Sequence, residues 1–190
     1  SHLFNVAASR PAKSPRDKAL NTADPGLRQF LEFDFVGAKR KEAMTRQTGI
    51  LADGAIRALF AAGRLKSEAA LDIDQVQPAS LDLRLGSKAY RVRASFMPGP
   101  GHLVADKLAR LKLHEIDLAD GAVLETGCVY IVPLMESLDL PAEMSASANP
   151  KSSTGRLDIF TRVMTDRAQE FDKIPAGYNG PLYLEISPRT

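Results

Sequence analysis

Six consecutive residues combine the side chains that phosphate groups require. Residues 151–156 read KSSTGR and supply one ammonium, three hydroxyls, a glycine and a guanidinium. Hydroxyls and main-chain N–H groups donate hydrogen bonds to phosphate oxygens, while lysine and arginine offset the negative charge. The segment is not a Walker loop, because the glycine spacing and the Gly-Lys-Ser/Thr ending are absent. From composition alone, an ordinary polar turn is the simpler interpretation.

A single carboxylate interrupts the apolar segment 181–186, which reads PLYLEI. Strict alternation along a strand places Glu185 on the face of Tyr183 and opposite Leu184. Because glutamate usually lies on a protein surface, the pattern by itself favours a solvent-facing side chain. The alternative is a carboxylate in a pocket, where desolvation prepares such a group to act as a general base.

Length and composition limit the organisation of the chain. With 190 residues, 44% of them hydrophobic, the chain can bury one sizeable core and does not call for a second complete domain. No apolar run approaches the roughly 20 residues that cross a bilayer, and the N-terminal residues lack the apolar core of a secretory signal. We therefore expect a soluble, cytoplasmic protein without a membrane partner.

The charge is unevenly distributed. Residues 1–43 hold eight Lys and Arg against five Asp and Glu, whereas residues 44–190 hold 17 against 18. The body therefore lacks the basic face that nucleic acid requires, and we expect no nucleic-acid partner. The prolines and small polar residues of 1–43 favour a loosely ordered extension or leader, although a Phe-rich patch at 30–35 is a candidate for docking on the body.

Helical signals are limited to one segment. Asp53 is predicted to be the N-cap of a short helix, and Gly63 stands where a C-terminal glycine belongs. Residues 98–114 begin with a Pro-Gly repeat and then alternate too loosely for a regular element. We therefore predict a loop there, with a helical turn at most.

Short strands dominate the rest of the body. Residues 80–85 alternate polar and apolar side chains, which predicts a strand whose leucines face the core while Asp82 and Arg84 face solvent. Further short strands are predicted at residues 90–93, 123–124, 128–133, 157–163 and 182–186. Regular short strands with one helix predict a mainly-β sandwich or barrel.

Seven short motifs follow one another over residues 49–186. They are Gly63-Arg64-Leu65, QVQPASLDLRLG at 75–86, ESLDLPAE at 136–143, KSSTGRL at 151–157, Thr165-Asp166-Arg167, Gly177-Tyr178-Asn179-Gly180 and Leu184-Glu185. Each is weak alone, but in this order they resemble the dCTP deaminase family of the trimeric dUTPase-like superfamily. The resemblance implies that 44–190 form a mainly-β, jelly-roll or β-clip type body with a short N-terminal helix, which ends before the family's last strands.

The resemblance also implies an activity, the hydrolysis of dCTP to dUTP and ammonia, and a role for each matching residue. Glu185 matches the general base, which would take a proton from the water that attacks C4 of the cytosine ring. Ser152 and the carbonyl of Thr165 match groups that hold this water. Arg156 and Arg167 match arginines that shape the site and offset the charge that develops around the ring.

Nucleotide binding is implied in the same way. Lys151 and Ser153 match contacts to the triphosphate, and Ser152, Arg156 and Tyr178 complete the implied nucleotide-binding set. Mg²⁺ would arrive on the triphosphate, since this ion prefers phosphate oxygens and water to a dedicated protein cage. Family members share sites between subunits, which implies a homotrimer or pseudo-trimer.

Zinc is not expected as a cofactor. Zinc deaminases need His-x-Glu and Pro-Cys-x-x-Cys ligands, and the chain has one cysteine and three histidines in no such arrangement.

Two other functions remain open. The first is dUTP pyrophosphatase activity, alone or combined with deamination, for which Asp172 is the candidate base. The second is a catalytically silent nucleotide-binding or assembly domain. The chain departs from the family pattern at Thr165, where relatives have Ala, at Asp158, where they have Gly, and at 168–173, where it has extra residues.

Overall fold

The structure, a computed structural model, describes residues 20–21, 29–37 and 49–189. The prediction that 1–43 form a loosely ordered extension falls mainly outside these ranges and stays a prediction. The Phe-rich patch lies on a strand of residues 29–37, whose main chain pairs with three strands of the body.

The described residues form thirteen strands and three helices. The strands are β1 (Leu20–Asn21), β2 (Gln29–Gly37), β3 (Gly49–Ile50), β4 (Leu65–Ser67), β5 (Leu81–Arg84), β6 (Lys88–Val92), β7 (Lys112–Asp117), β8 (Val123–Leu124), β9 (Val129–Asp139), β10 (Met144–Pro150), β11 (Ile159–Thr165), β12 (Lys173–Ile174) and β13 (Asn179–Pro188). The helices are α1 (Asp53–Ala61), α2 (Val104–Leu111) and α3 (Ser152–Arg156).

Two antiparallel sheets contain most of the strands. The first has the order β12-β10-β2-β3 with β5 added to β2, and the second has the order β11-β13-β9-β6-β7 with β4 added to β9. Strand β9 is the longest and pairs with β13, β6 and β4. The prediction of a mainly-β body is confirmed, and the antiparallel sheets agree with a jelly-roll-like arrangement.

The central strands of the second sheet are packed on both faces. Leu184 and Ile186 of β13 belong to the main hydrophobic core, which also contains residues of the first sheet. Tyr183, their neighbour on the other face, packs against a second cluster of Val92, Val104, Leu108, Ile131 and Met164. Because Val104 and Leu108 come from α2, this helix packs on the second face of the sheet.

Helix α1 confirms the predicted short helix and corrects its first residue. Ala52 is the N-cap and makes no side-chain capping bond, so Asp53 is the first helical residue. At the other end Gly63 has a positive φ of 67°, its N–H donates to Phe60, and the N–H of Arg64 donates to Leu59. These two bonds form a Schellman motif, which explains why glycine stands at this position.

The prediction of a loop at 98–114 is wrong, because α2 and β7 occupy most of this segment. Val104 and Leu108 lie four residues apart and are both buried, so they form the apolar face of the helix. The N-terminus of α2 is held by Asp166, whose Oδ1 accepts the Val104 N–H at 2.8 Å. No helix among the described residues has the length and apolar character needed to span a membrane.

The prediction that Asp82 and Arg84 face solvent is also wrong. The side chain of Arg84 is 5% exposed, and its Nε lies 3.0 Å from Oε1 of the fully buried Glu136. The other carboxylate oxygen of Glu136 accepts the main-chain N–H of Arg84 at 2.9 Å. Gln75 donates to Glu136 at 2.8 Å, and Arg84 also donates to the Ser67 hydroxyl at 2.7 Å. A polar network therefore lies inside the fold where alternation predicted a surface.

Replacing Arg84 by Met tests whether this network stabilises the fold. Removal of the guanidinium leaves the Glu136 carboxylate buried without its cation, a change that typically costs about 3–5 kcal/mol. We expect a loss of that size in the free energy of unfolding, measured in urea. The control is Arg64→Met, which breaks an ion pair to Asp139 whose two side chains are 47% and 31% exposed, and a loss of at most about 1 kcal/mol is expected there. Equal losses in the two variants would contradict the assigned role.

Candidate active site

Glu185 lies in the middle of β13, on the face that α2 and the second cluster cover. Its neighbours in register are Arg162 on β11 and Ile131 on β9. The residue is only 2% exposed, so the solvent-facing interpretation is wrong. Alternation correctly placed Glu185 on the face of Tyr183, but that face is covered by protein rather than by solvent.

The two carboxylate oxygens of Glu185 have different surroundings. Oε1 accepts hydrogen bonds from Nε and Nη2 of Arg162, at 3.2 and 2.5 Å. Oε2 is buried and has no hydrogen-bond partner among the described residues. Buried polar atoms are almost always hydrogen-bonded, so this unpaired carboxylate oxygen makes Glu185 a candidate for a functional site.

Arg162 lies outside the motifs that resemble the dCTP deaminase family. Its guanidinium carbon lies 3.8 Å from the centre of the Phe171 ring and 5.0 Å from that of Phe160. Nη2 also donates to the Ser95 hydroxyl at 3.0 Å. The sequence does show an arginine in a predicted strand, but its pairing with Glu185 depends on a strand register that short motifs do not reveal.

Thr165 and Arg167 lie at the end of β11 and in the turn that follows. The Thr165 carbonyl accepts the N–H of Ala168 at 3.3 Å and keeps a second lone pair, while its hydroxyl is buried and unpaired among the described residues. Arg167 has a positive φ of 61° and an exposed side chain, and its N–H donates to the His102 carbonyl at 2.9 Å.

Tyr178 holds the turn before β13. Its hydroxyl donates to the Pro181 carbonyl at 2.6 Å and accepts the Asp166 N–H at 3.2 Å. Burial raises the pKa of Tyr178, so the phenol stays protonated and continues to donate. The hydroxyl is therefore engaged inside the protein, which is a structural use that the sequence did not reveal.

The segment predicted to bind phosphate forms the short helix α3, preceded by Lys151. The Lys151 ammonium lies 2.5 Å from Oδ2 of Asp82, a residue that is 1% exposed. Ser152 and Arg156 are exposed, whereas Ser153 is half-buried. The lysine charge is thus already paired with a buried carboxylate.

The predicted residues do not all meet within the described part of the chain. Thr165 and Glu185 lie on paired strands, three rows apart in the register. No hydrogen bond or ion pair between described residues joins Glu185 to Ser152 or Arg156. Within residues 49–189, moreover, no three His, Cys, Asp or Glu side chains are grouped so that they could hold a metal ion.

Comparison with known proteins identifies the family. Residues 47–190 match the family described as 2'-deoxycytidine 5'-triphosphate deaminase (DCD) N-terminal domain. The chain belongs to this family. The resemblance found in the sequence motifs is therefore confirmed, while the roles of the individual residues stay predictions.

Three relatives show how far the likeness to dCTP deaminases extends. The chain is 31% identical over 122 residues to a dCTP deaminase of Actinobacillus succinogenes, a match that covers 60% of each protein. It is 30% identical over 141 residues to a dCTP deaminase of Halorubrum lacusprofundi, covering 73% of this chain and 66% of the relative. A crystal structure of 2'-deoxycytidine 5'-triphosphate deaminase from Agrobacterium tumefaciens matches with 87% identity and a TM-score of 0.73, over 75% of this chain and 42% of that one. The chain thus spans less than two thirds of the length of these relatives.

Asp172, the candidate base of a pyrophosphatase, has a structural use in this dCTP deaminase family member. Its Oδ1 accepts the Val163 N–H at 2.7 Å, and its own N–H donates to the Val163 carbonyl at 2.9 Å. Its φ is positive, at 62°. Burial raises the pKa of Asp172, and the nearby Glu185 carboxylate adds to the rise.

Replacing Asp172 by Asn is expected to change how stability depends on pH. The pKa of Asp172 is higher in the folded protein than its ordinary value of 3.8. Its contribution to stability is therefore present below that value and is lost as pH rises through the folded pKa. Asn keeps the acceptor for Val163 and tolerates a positive φ. The variant should gain stability relative to wild type as pH rises from about 4 to about 7.

Urea unfolding at a series of pH values measures this difference, with the exposed Asp120→Asn as control. A wild-type advantage that grows towards neutral pH would show instead that ionised Asp172 stabilises the fold through a cation such as Arg162.

Proposed function

We propose that the protein catalyses the hydrolytic deamination of dCTP to dUTP and ammonia without zinc. One observation carries the proposal: Glu185 is a buried carboxylate with one oxygen held by Arg162 and the other unpaired among the described residues. Such an oxygen is placed to accept a proton inside a water-poor site. The match to the dCTP deaminase family and to the deaminase of Agrobacterium tumefaciens supports this substrate.

In the proposed reaction Glu185 acts first as base and then as acid. It takes a proton from a water molecule while the water oxygen attacks C4 of the cytosine ring. The same proton then goes to the amino group, the bond from C4 to nitrogen breaks, and ammonia leaves. The remaining hydroxyl proton moves to N3 of the ring, which gives the C4 carbonyl and the N3–H of dUTP, so one water is consumed for each ammonia released.

The remaining predicted residues would position the water and the ring. We assign the Ser152 hydroxyl and the free lone pair of the Thr165 carbonyl to the water. Arg156 and Arg167, which both have exposed side chains, would offset charge that develops around the ring.

The triphosphate would lie against the N-terminal part of α3. Ser153 and Lys151 would donate to its oxygens, and the pairing of Lys151 with Asp82 fixes the direction of the ammonium. Mg²⁺ would be bound through phosphate oxygens and water. Tyr178 would act by holding the turn in which its hydroxyl is engaged.

The pyrophosphatase alternative is less well supported, because Asp172 already accepts a main-chain N–H of β11 with Oδ1. Separate incubations of the whole protein with dCTP and with dUTP, each with Mg²⁺, distinguish the activities once dUTP, dUMP, ammonia and pyrophosphate are separated. Formation of ammonia and dUTP from dCTP supports deamination. Release of pyrophosphate from added dUTP, without ammonia from dCTP, would support the alternative.

Replacing Glu185 by Gln should separate binding from chemistry. Glutamine keeps the size of the side chain and a hydrogen-bonding oxygen, but it does not take up the proton. We expect dCTP binding to persist while kcat for ammonia release falls by about 10²–10⁴-fold. A calorimetric titration with dCTP and a steady-state ammonia assay measure the two quantities.

The matched control is Glu68→Gln, which changes an exposed carboxylate and should leave both quantities unaltered. Turnover by Glu185→Gln within a few-fold of wild type would remove Glu185 from the mechanism.

We further propose a homotrimer or pseudo-trimer with sites shared between subunits. The support is that Ser152 and Arg156 are exposed and make no hydrogen bond to Glu185 within the described chain. In such an oligomer, a site at a subunit interface would take Ser152 from one copy and Glu185 from the next.

Mixing two inactive variants tests shared sites. Ser152→Ala and Glu185→Gln should each be inactive alone, but co-expressed copies should regain ammonia release, because some mixed sites contain both native residues. The mixture is checked for mixed oligomers by native mass spectrometry, with Glu185→Gln alone as control. Mixed oligomers that remain as inactive as the single variants would show that each site lies within one subunit.

A further inference from the structure

We propose that Arg162 is a positioning residue of the deamination site. It holds Oε1 of Glu185 and thereby leaves Oε2 as the oxygen that takes the proton from water. This inference rests on the proposed function, because it assigns the two oxygens of the proposed base. Arg162 itself lies outside the seven sequence motifs.

The pairing of the two side chains is built into the sheet. Arg162 on β11 and Glu185 on β13 are partners in the antiparallel register, so their side chains leave the sheet side by side on the same face. Both Nε and Nη2 point to the same carboxylate oxygen. The contact therefore fixes the orientation of the carboxylate as well as supplying the charge that a buried anion needs.

Arg162 is itself held by groups other than Glu185. The Phe171 ring stacks on the guanidinium at 3.8 Å, the Phe160 ring lies at 5.0 Å, and the Ser95 hydroxyl accepts a hydrogen bond from Nη2. A planar guanidinium can stack on a ring and donate in its own plane at the same time, which an ammonium cannot do. The surroundings of this position therefore favour arginine over lysine.

Burial distinguishes the two partners. The Glu185 side chain is 2% exposed, whereas that of Arg162 is 28% exposed. Solvent therefore reaches the cation from outside, while the carboxylate remains inside. Arg167, which lies in the turn after β11, is exposed and makes no ion pair with Glu185 among the described residues. Arg162 is for this reason the arginine that orients the proposed base.

The segment 168–173, which is longer than in the family pattern, takes part in this arrangement. Phe171 lies within it and stacks on Arg162. The loop therefore reaches Glu185 through one intermediate side chain, and its sequence should influence turnover without any contact to the substrate.

The test compares Arg162→Ala, Arg162→Gln and Arg162→Lys in the whole protein. A misplaced catalytic group can cost about 10²-fold in rate, so we expect Arg162→Ala to lower kcat by about that factor while KM changes by less than about threefold. Lys and Gln should recover part of kcat, because each restores one donor. Guanidinium chloride at a non-denaturing concentration should raise the turnover of Arg162→Ala and not that of wild type.

Two controls separate positioning from folding. Arg64→Ala removes an arginine from a surface ion pair and should leave kcat unchanged and unaffected by guanidinium. Thermal melting shows which variants fold, and if Arg162→Ala does not fold, then Arg162→Gln and Arg162→Lys decide.

A further variant, Phe171→Leu, tests the ring stack. It keeps the charge of Arg162, removes the stacked ring, and should lower kcat less than Arg162→Ala does.

The possible outcomes are distinct. A rise in KM at unchanged kcat would show that Arg162 binds the substrate instead and would overturn the inference. A folded Arg162→Ala with kcat close to wild type would overturn it as well, and both results leave the proposed deamination intact. A wild-type protein that releases no ammonia from dCTP would overturn the proposed function together with this inference.

Discussion

The buried pair of Arg84 and Glu136 is the interaction on which the rest of the structure depends. Arg84 lies on β5 and Glu136 on β9, so the pair joins the first sheet to the central strand of the second. Through Ser67 and Gln75 it also fixes the segment between β4 and β5. A buried ion pair seldom adds much net stability, but its hydrogen bonds form in only one arrangement. The pair therefore fixes the position of β9 relative to the first sheet. Strand β9 pairs with β13, which contains Glu185.

Glu185 is buried because protein packs on both faces of β13. The main core covers one face of β13, while α2 and the second cluster cover the other. Asp166 ties the N-terminus of α2 to the turn that also contains Thr165 and Arg167. The helix that packs on the Glu185 face of the second sheet is thus attached to the segment that holds the attacking water in the proposed function.

Local patterns predicted the elements better than their surroundings. The helix that ends at Gly63 and the mainly-β body followed from spacing and turn residues, because these depend on neighbours in the chain. Alternation also assigned Glu185 to the correct face. Alternation could not show whether that face meets solvent, because exposure depends on distant elements that pack on the sheet. One of these is α2, which was not predicted because residues 98–101 form a Pro-Gly repeat.

Long-range pairing explains the other differences from the sequence predictions. Asp82 and Arg84 are buried because their partners, Lys151 and Glu136, come from distant positions in the chain. The contact of Arg162 with Glu185 depends in the same way on the register of β11 and β13. For the candidate site, the ordered motifs identified the family and the carboxylate, whereas the arginine that holds it required the fold.

The alternation of β13 between two cores also affects how faithfully the chain folds. A slip of one residue would exchange Leu184 for Glu185 and point a carboxylate into the main core, away from Arg162. An unpaired charge in such surroundings is far costlier than a misplaced leucine. The carboxylate therefore favours the correct register of β13, because a chain that mispairs this strand loses stability and displaces its proposed base at the same time.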